Sequence, residues 1–328
     1  MNFADEVTNV VTNVVTDVVD ADASAAANAA NVIADASAVA DVRHAVKVGE
    51  IKPVKSLGQN FLMDSGVAER IVAVADLCER DLVLEIGAGA AALTRRLCRS
   101  AGHVVAVEID RRLISFLNSK TSENKNLTII NDDILKLDIL RVLKTSRLID
   151  AYPNLKIISN LPYCITTPII MKILEGELKP SKMVFMMQKE VADRIVARPS
   201  TKEYGALTVS VNYYTKPSKA FNVSPHCFVP QPDVESTVLV FDPHEETPVD
   251  LTDKQFFFKV VRAAFAQRRK QLVNCLIHAG LLPNDKELAY KMFSGIGLNT
   301  KTRGEDLSIH EFARLSNAVY NEVNEKLQ

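Results

Sequence analysis

Two short stretches of this 328-residue chain combine residue types and spacings that could do chemistry. The first is Glu85-Ile86-Gly87-Ala88-Gly89-Ala90-Ala91-Ala92. Glycines at such a turn let the backbone approach a ligand closely, and an acid about 20 residues further on, here Glu108, can accept both hydroxyl hydrogens of a ribose. The pattern fits a nicotinamide enzyme as well as an S-adenosylmethionine enzyme, and a tight strand-to-helix turn gives it too. It points to a nucleoside without choosing the cofactor. The second stretch is Asn160-Leu161-Pro162-Tyr163. An exocyclic amine on adenine is a poor nucleophile because its lone pair is delocalised into the ring. An Asn side-chain oxygen and the Leu161 carbonyl, held by the rigid Pro162, can accept both amine hydrogens and favour a pyramidal nitrogen. Tyr163 offers a flat face on which a flipped base stacks. The blander reading is a turn with a packed tyrosine.

Both stretches need a scaffold that brings them to one edge. From Asp81 to about Phe241 short apolar runs alternate with helical segments. Leu82–Ile86, His103–Glu108, Leu127–Asn131, Leu155–Ser159 and Lys182–Met187 read as buried strands. That alternation predicts βαβ units and a mostly parallel sheet, whose reacting groups belong at the carboxyl ends of the strands. Ala220–Val223 and Ser236–Phe241 are expected to pair at one edge. After Pro243 strand signals stop. Phe256–Ala266, Lys270–Ala279 and Ser308–Lys326 read as helices, the last opened by a capping-box spacing from Ser308 to Glu311. The fold class is therefore α/β with a smaller all-helical C-terminal domain.

Composition narrows the alternatives. The formal net charge of -1 conceals an acidic leader: residues 1–42 hold seven acids and no Lys or Arg, which leaves 39 basic against 33 acidic residues, +6, for the rest. A basic body is compatible with a polyanionic partner. The leader repeats Thr-Asn-Val-Val from Thr8, has no basic start like that of a signal peptide, and reads as a mobile tail or a partner-binding helix. No apolar run reaches the ~18 residues of a membrane span. Five scattered cysteines without a CxxC pair, and six histidines without HxH or HExxH, point to a reducing, cytoplasmic compartment and to no metal.

Further matching segments are Ser56–Leu62 (SLGQNFL), Val105–Asp110 (VAVEID), Asn131–Leu135 (NDDIL), Gln188–Ala192 (QKEVA), Phe228–Ser236 (FVPQPDVES), Arg262–Phe265, Arg268–Lys270 and Arg303–Leu307. Together, and in this order, they make the chain from about residue 53 onward resemble the bacterial small-subunit ribosomal RNA adenine N6,N6-dimethyltransferases. The resemblance implies a Rossmann-like class I S-adenosylmethionine-dependent methyltransferase sheet over 51–244, a helical RNA-binding domain over 245–328, and a low-complexity extension over 1–50. It implies that Gln59, Asn60 and the Gly87 loop contact the methionine part of S-adenosylmethionine, with Leu62, Gly89 and Ile109 also lining that site. Glu108 is expected to hold the ribose, Asp133 the adenine amino group, and Ile134 to pack beside it. Asn160, Leu161, Pro162 and Tyr163 would form the methyl-acceptor site, with Phe228 stacking on the target base opposite Tyr163. Arg268, Arg269 and Lys270 would contact phosphates. The implied substrate is 16S rRNA in a 30S precursor, methylated by a monomer with S-adenosylhomocysteine as product. Two departures stand out: the family's proline after Gly87 is Ala88, and its third glycine is Ala91.

Two rivals belong to other classes. A nicotinamide dehydrogenase accounts for the glycine loop and Glu108 but leaves Asn160–Tyr163 unexplained. A non-enzymatic ribosome assembly factor keeps the fold but has no use for intact acceptor residues. Among related enzymes, the antibiotic-resistance methyltransferases modify large-subunit RNA instead.

Overall fold

The computed structural model describes residues 44–46, 48 and 51–325, so the valine repeat of the leader lies outside the described residues. The strands are β1 (Phe61–Leu62), β2 (Asp81–Ile86), β3 (His103–Glu108), β4 (Leu127–Asn131), β5 (Asn154–Asn160), β6 (Lys182–Gln188), β7 (Thr215–Val223), β8 (Phe228–Val229) and β9 (Ser236–Pro243). Among the described residues no helix is long and apolar enough to cross a membrane. Two compact units emerge: Met1–Cys164 with Val223–Glu235, and Ile165–Asn222 with Ser236–Gln328.

In the first unit β4, β3, β2 and β5 lie side by side in that order, all parallel. All six residues of β2 are buried, the apolar Leu82–Leu84 and Ile86 together with the acids Asp81 and Glu85, so its apolar residues do not alternate with exposed ones. The strands fall where the apolar runs predict them, β3 and β4 to the residue. The chain moves outward from β2 to β3 and β4, then returns to place β5 on the other side of β2. Between the carboxyl ends of β2 and β5 lies the switch point at which open α/β sheets bind ligands. The Ser159 hydroxyl donates to the Ile86 carbonyl across it. The short pair β1 and β8 is antiparallel, with Leu62 opposite Phe228. Helix Arg111–Thr121 buries Leu113 and Leu117 and begins at Asp110, whose carboxylate caps the Arg112 N–H.

In the second unit β6 and β9 are antiparallel, Met183 opposite Phe241 through Gln188 opposite Ser236, and β7 is the other neighbour of β9. The expected partnership of the two late segments is present, with the Thr237 hydroxyl donating to Asn222 Oδ1 at 3.0 Å. Helices Lys254–Ala266, Leu272–His278, Lys286–Gly295 and Ile309–Glu325 follow; the third, and Ala206–Tyr214 before β7, were not expected from the sequence. The capping box forms, since Glu311 Oε2 accepts the Ser308 N–H at 2.8 Å while Ser308 Oγ accepts the Glu311 N–H at 3.3 Å. The compact units do not divide at residue 244. Tyr213 of helix Ala206–Tyr214 packs its ring 5.7 Å from Phe257 and 5.3 Å from Phe258, so one aromatic core joins that helix to the C-terminal helices.

One ion pair ties the parallel strands together. Lys156 of β5 reaches Asp81 of β2 at 2.9 Å, where the Asp81 side chain is 1% exposed, and also donates to the Ala75 and Asp76 carbonyls. Burial alone would raise the Asp81 carboxyl, but Lys156 and the Cys78 N–H outweigh it and hold it below the usual range. Removing the amine strands a buried charge, which typically costs about 3–5 kcal/mol. Lys156→Ala should therefore lower the unfolding free energy by roughly that amount in urea denaturation at neutral pH. Because the folded carboxyl titrates below the unfolded one, the pair's contribution is present above about pH 4. It is lost as acid passes the folded pKa, so the two proteins should converge in strong acid.

Candidate active site

The loop after β2 is built from backbone that most side chains resist. Gly87 and Gly89 have φ of +76° and +55°, and Ala91 has +66°. A left-handed alanine costs about 1–2 kcal/mol. Its buried methyl packs with Ala88, Ala106 and Leu117, which offsets part of that strain and explains how the loop keeps its course without the family's third glycine. The Gly87 N–H is held by the Val107 carbonyl at 2.8 Å, and a Cβ on Gly87 would come within 3.5 Å of Pro162. The glycine loop and the Asn160–Tyr163 turn are thus in direct contact.

Glu108 ends β3 beneath this loop and is 4% exposed. Its Oε2 accepts the Gly89 N–H at 2.9 Å and its Oε1 accepts the Asp110 N–H at 2.8 Å. Burial raises its pKa against the pull of these two donors. Each oxygen keeps a second lone pair, so the carboxylate can still receive hydroxyl hydrogens. Beside it Ile109 is 45% exposed, unusual for so large an apolar side chain and suited to covering a flat ring. Asn131 donates from Nδ2 to the Glu108 carbonyl at 2.8 Å and fixes that strand end. Asp133 accepts the Leu135 N–H at Oδ1 and lies 3.5 Å from the exposed Lys136 amine, with Ile134 buried next to it. Deeper still, burial pushes the Glu85 carboxyl up to about 8, so it is protonated at neutral pH.

Asn160 closes β5. Its Nδ2 donates to the Asn60 carbonyl at 3.2 Å, while its Oδ1 is buried with no hydrogen-bond partner among the described residues. A buried orphan acceptor costs about 1–3 kcal/mol, and its natural complement is a donor brought by a ligand. The Leu161 side chain is buried, and Pro162 and Tyr163 are half-buried. Gln59, Asn60, Leu62, Gly87, Gly89, Glu108, Ile109, Asp133, Ile134 and Asn160–Tyr163 all belong to the first unit, as the sequence motifs require.

Two expectations need correction. Phe228 does not present its ring: it is 2% exposed, because pairing with Leu62 across β1 and β8 buries it. Arg268 is not a free phosphate ligand. Its guanidinium donates to Glu305 Oε2 at 3.1 and 3.3 Å and to the Lys202 carbonyl at 2.8 Å, tying the end of helix Lys254–Ala266 to two loops of the second unit. Arg269 and Lys270 are exposed. Asp110, the last residue of the Val105–Asp110 segment, has a side chain engaged by Gln59 and Arg112. Its position immediately before a helix was the available signal.

Comparison with known proteins agrees with this geometry. The family model described as ribosomal RNA adenine dimethylase matches residues 52–321. The chain is 46% identical over 266 residues to ribosomal RNA small subunit methyltransferase A of Bacillus mycoides, covering 81% of this chain and 90% of that protein, and equally to its Bacillus cereus counterpart. Among solved structures, a dimethyladenosine transferase from Plasmodium falciparum superposes with a TM-score of 0.67 at 26% identity, over 81% of this chain and 98% of that one. The 23S rRNA methyltransferase ErmE shares the fold, with a TM-score of 0.60 at 23% identity over 80% and 100% of the two chains. The fold is that of the Rossmann-like class I methyltransferases, and the chain belongs to the ribosomal RNA adenine dimethylase family.

Proposed function

We propose that this chain dimethylates N6 of two adjacent adenosines in the 3'-terminal hairpin of 16S rRNA, as a cytoplasmic monomer acting on an immature 30S particle. Family membership makes it an S-adenosylmethionine-dependent rRNA adenine dimethyltransferase of the small subunit. The finer statements are our reading, and the observation that carries the chemistry is the buried, unpartnered Oδ1 of Asn160.

The residues present fit the cofactor. Glu108 keeps acceptor capacity for a ribose, Ile109 exposes an apolar face for the adenine, and Asp133 offers a carboxylate for its amino group. The bound cofactor supplies an electrophilic methyl on a sulfonium. The protein's part is to position and polarise the acceptor. Asn160 Oδ1 and the Leu161 carbonyl accept the two amine hydrogens and draw the nitrogen lone pair out of conjugation, with the proline between Leu161 and Tyr163 limiting the turn's freedom. Tyr163 gives the base a stacking surface. The proton released on methylation passes to water, so no dedicated base is assigned; Glu85, protonated and buried, is unsuited to the role.

The helical stretch 245–328 is assigned to RNA through Arg269 and Lys270, with Arg268 as their internal support rather than a phosphate ligand. The small-subunit choice rests on the relatives at 46% identity; large-subunit RNA is the competing reading, because ErmE shares the fold.

Glu108→Ala should weaken S-adenosylmethionine binding by about 1.5–3 kcal/mol, roughly ten- to a hundredfold, as read by calorimetry. Asn160→Ala should lose most of its turnover while cofactor affinity changes little, because its oxygen acts chiefly in the transition state. Purified protein should methylate immature 30S particles and leave 50S subunits and naked large-subunit RNA unlabelled, with activity falling as salt rises. Label in large-subunit RNA with inert 30S particles would overturn the substrate assignment. Arg269→Glu combined with Lys270→Glu should weaken particle binding without altering cofactor affinity.

A further inference from the structure

The segment Ser56–Leu62 touches both the glycine loop and the Asn160–Tyr163 turn. The Phe61 ring comes within 3.3 Å of where a Cβ on Gly89 would stand. The Asn60 carbonyl receives the Asn160 amide at 3.2 Å. Gly58, at φ +63°, lies so close to the acceptor turn that a Cβ there would meet the Tyr163 and Cys164 nitrogens at 3.1 and 3.2 Å. Whatever fixes this segment therefore fixes a wall of the cofactor site and the orientation of Asn160 together.

Gln59 sits in its middle with its amide already engaged at both ends. Its Oε1 accepts the Val54 N–H at 2.8 Å, and its Nε2 donates to Asp110 Oδ2 at 2.9 Å. Asp110 is itself immobilised. Arg112 donates to Oδ1 from its backbone N and its Nε at 3.1 and 2.8 Å, and to Oδ2 from its guanidinium at 2.6 Å, while the Asp110 N–H donates to Glu108. These donors hold the carboxyl ionised, at about 2. An ionised carboxylate only accepts, so it selects one of the two flips of the Gln59 amide: nitrogen toward Asp110, oxygen toward Val54. The hydrogen-bonded chain runs unbroken from Val54 through Gln59, Asp110 and Glu108 to Gly89.

We propose that Asp110 is a positioning residue whose grip on the Gln59 amide latches Ser56–Leu62 against Gly89 and Asn160, so that cofactor affinity depends on a donor meeting an acceptor at that one contact. The proposal rests on the reading of this site as the S-adenosylmethionine site. It makes Gln59 first a latch, and Asp110 a determinant of binding that touches neither cofactor nor base.

Exchanging donor and acceptor tests it, with Arg112→Ala as the parent protein, because the Arg112 guanidinium shares Asp110 Oδ2 at 2.6 Å and would oppose an amide nitrogen placed there. Gln59→Glu sets two carboxylates against each other and should raise the dissociation constant for S-adenosylmethionine at least tenfold at pH 8, measured by calorimetry. Gln59→Glu with Asp110→Asn restores the pair with its direction reversed, since the introduced amide can donate to the new carboxylate, and should return the constant to within threefold of the parent protein. A role confined to stability would instead move the melting temperature of the ligand-free proteins with no rescue of binding by the exchange. Gln59→Glu binding as tightly as the parent, or the double variant binding no more tightly than the single, would overturn the latch. If Gln59→Glu does not fold, a folded double variant within threefold of the parent sustains the proposal, and a weaker one defeats it. Failure of the unaltered protein to bind S-adenosylmethionine would overturn the cofactor reading and the latch with it.

Discussion

The Glu108 carboxylate is the interaction on which the catalytic edge depends. Two backbone N–H groups, of Gly89 and Asp110, point at it from loops that leave the ends of different strands. Hydrogen bonds to a charged acceptor contribute about 1.5–3 kcal/mol each, enough to hold a glycine loop whose φ values favour many other courses. Burial works against this by raising the carboxyl pKa, and the backbone donors pull it back. Glu108 is thus a structural anchor of the glycine loop.

That anchor shows how function is kept at the cost of stability here. Asn160 leaves one buried oxygen without a partner, Ala91 sits in a left-handed conformation, and Glu85 is a carboxyl held protonated in the protein interior. Each is unfavourable alone, and each lies in a strand of the parallel sheet or in the loop that follows one. The offset comes from the apolar residues that the sheet takes out of water, Leu82, Val83 and Leu84 of β2 among them. Strain and orphan groups at a crevice over a rigid sheet are the arrangement expected of a site whose complement arrives with the ligand.

In the second unit the contacts show which charges are engaged within the protein. Arg268 is spent on Glu305 and the Lys202 carbonyl, near the Tyr204 hydroxyl that donates to the Leu307 carbonyl at 2.7 Å. A Cβ on Gly304 would stand 2.7 Å from the Ala264 carbonyl, so the Arg303–Leu307 stretch keeps a glycine for close approach to helix Lys254–Ala266. A motif shared across a family thus mixes packing residues with binding residues, and only the contacts sort them.

The sequence by itself determined the positions of the parallel strands and the switch point. Buried parallel strands read as near-continuous apolar runs, and Gly87, Glu108 and Asn160 stand out as candidates by residue type and spacing. It also carried the Ser308 to Glu311 capping box, a purely local interaction. What only the tertiary structure decided are the partners of residues far apart in the chain. Phe228 is buried because Leu62 pairs with it, Gln59 is a latch because Asp110 lies 2.9 Å away across 51 residues, and Arg268 is internal because Glu305 reaches it. The unit boundary moved for the same reason, since Tyr213 and Phe258 share one core across residue 244. Local propensity and periodicity decay within a few residues, whereas whether a side chain faces a ligand or a neighbour depends on where distant segments come to rest.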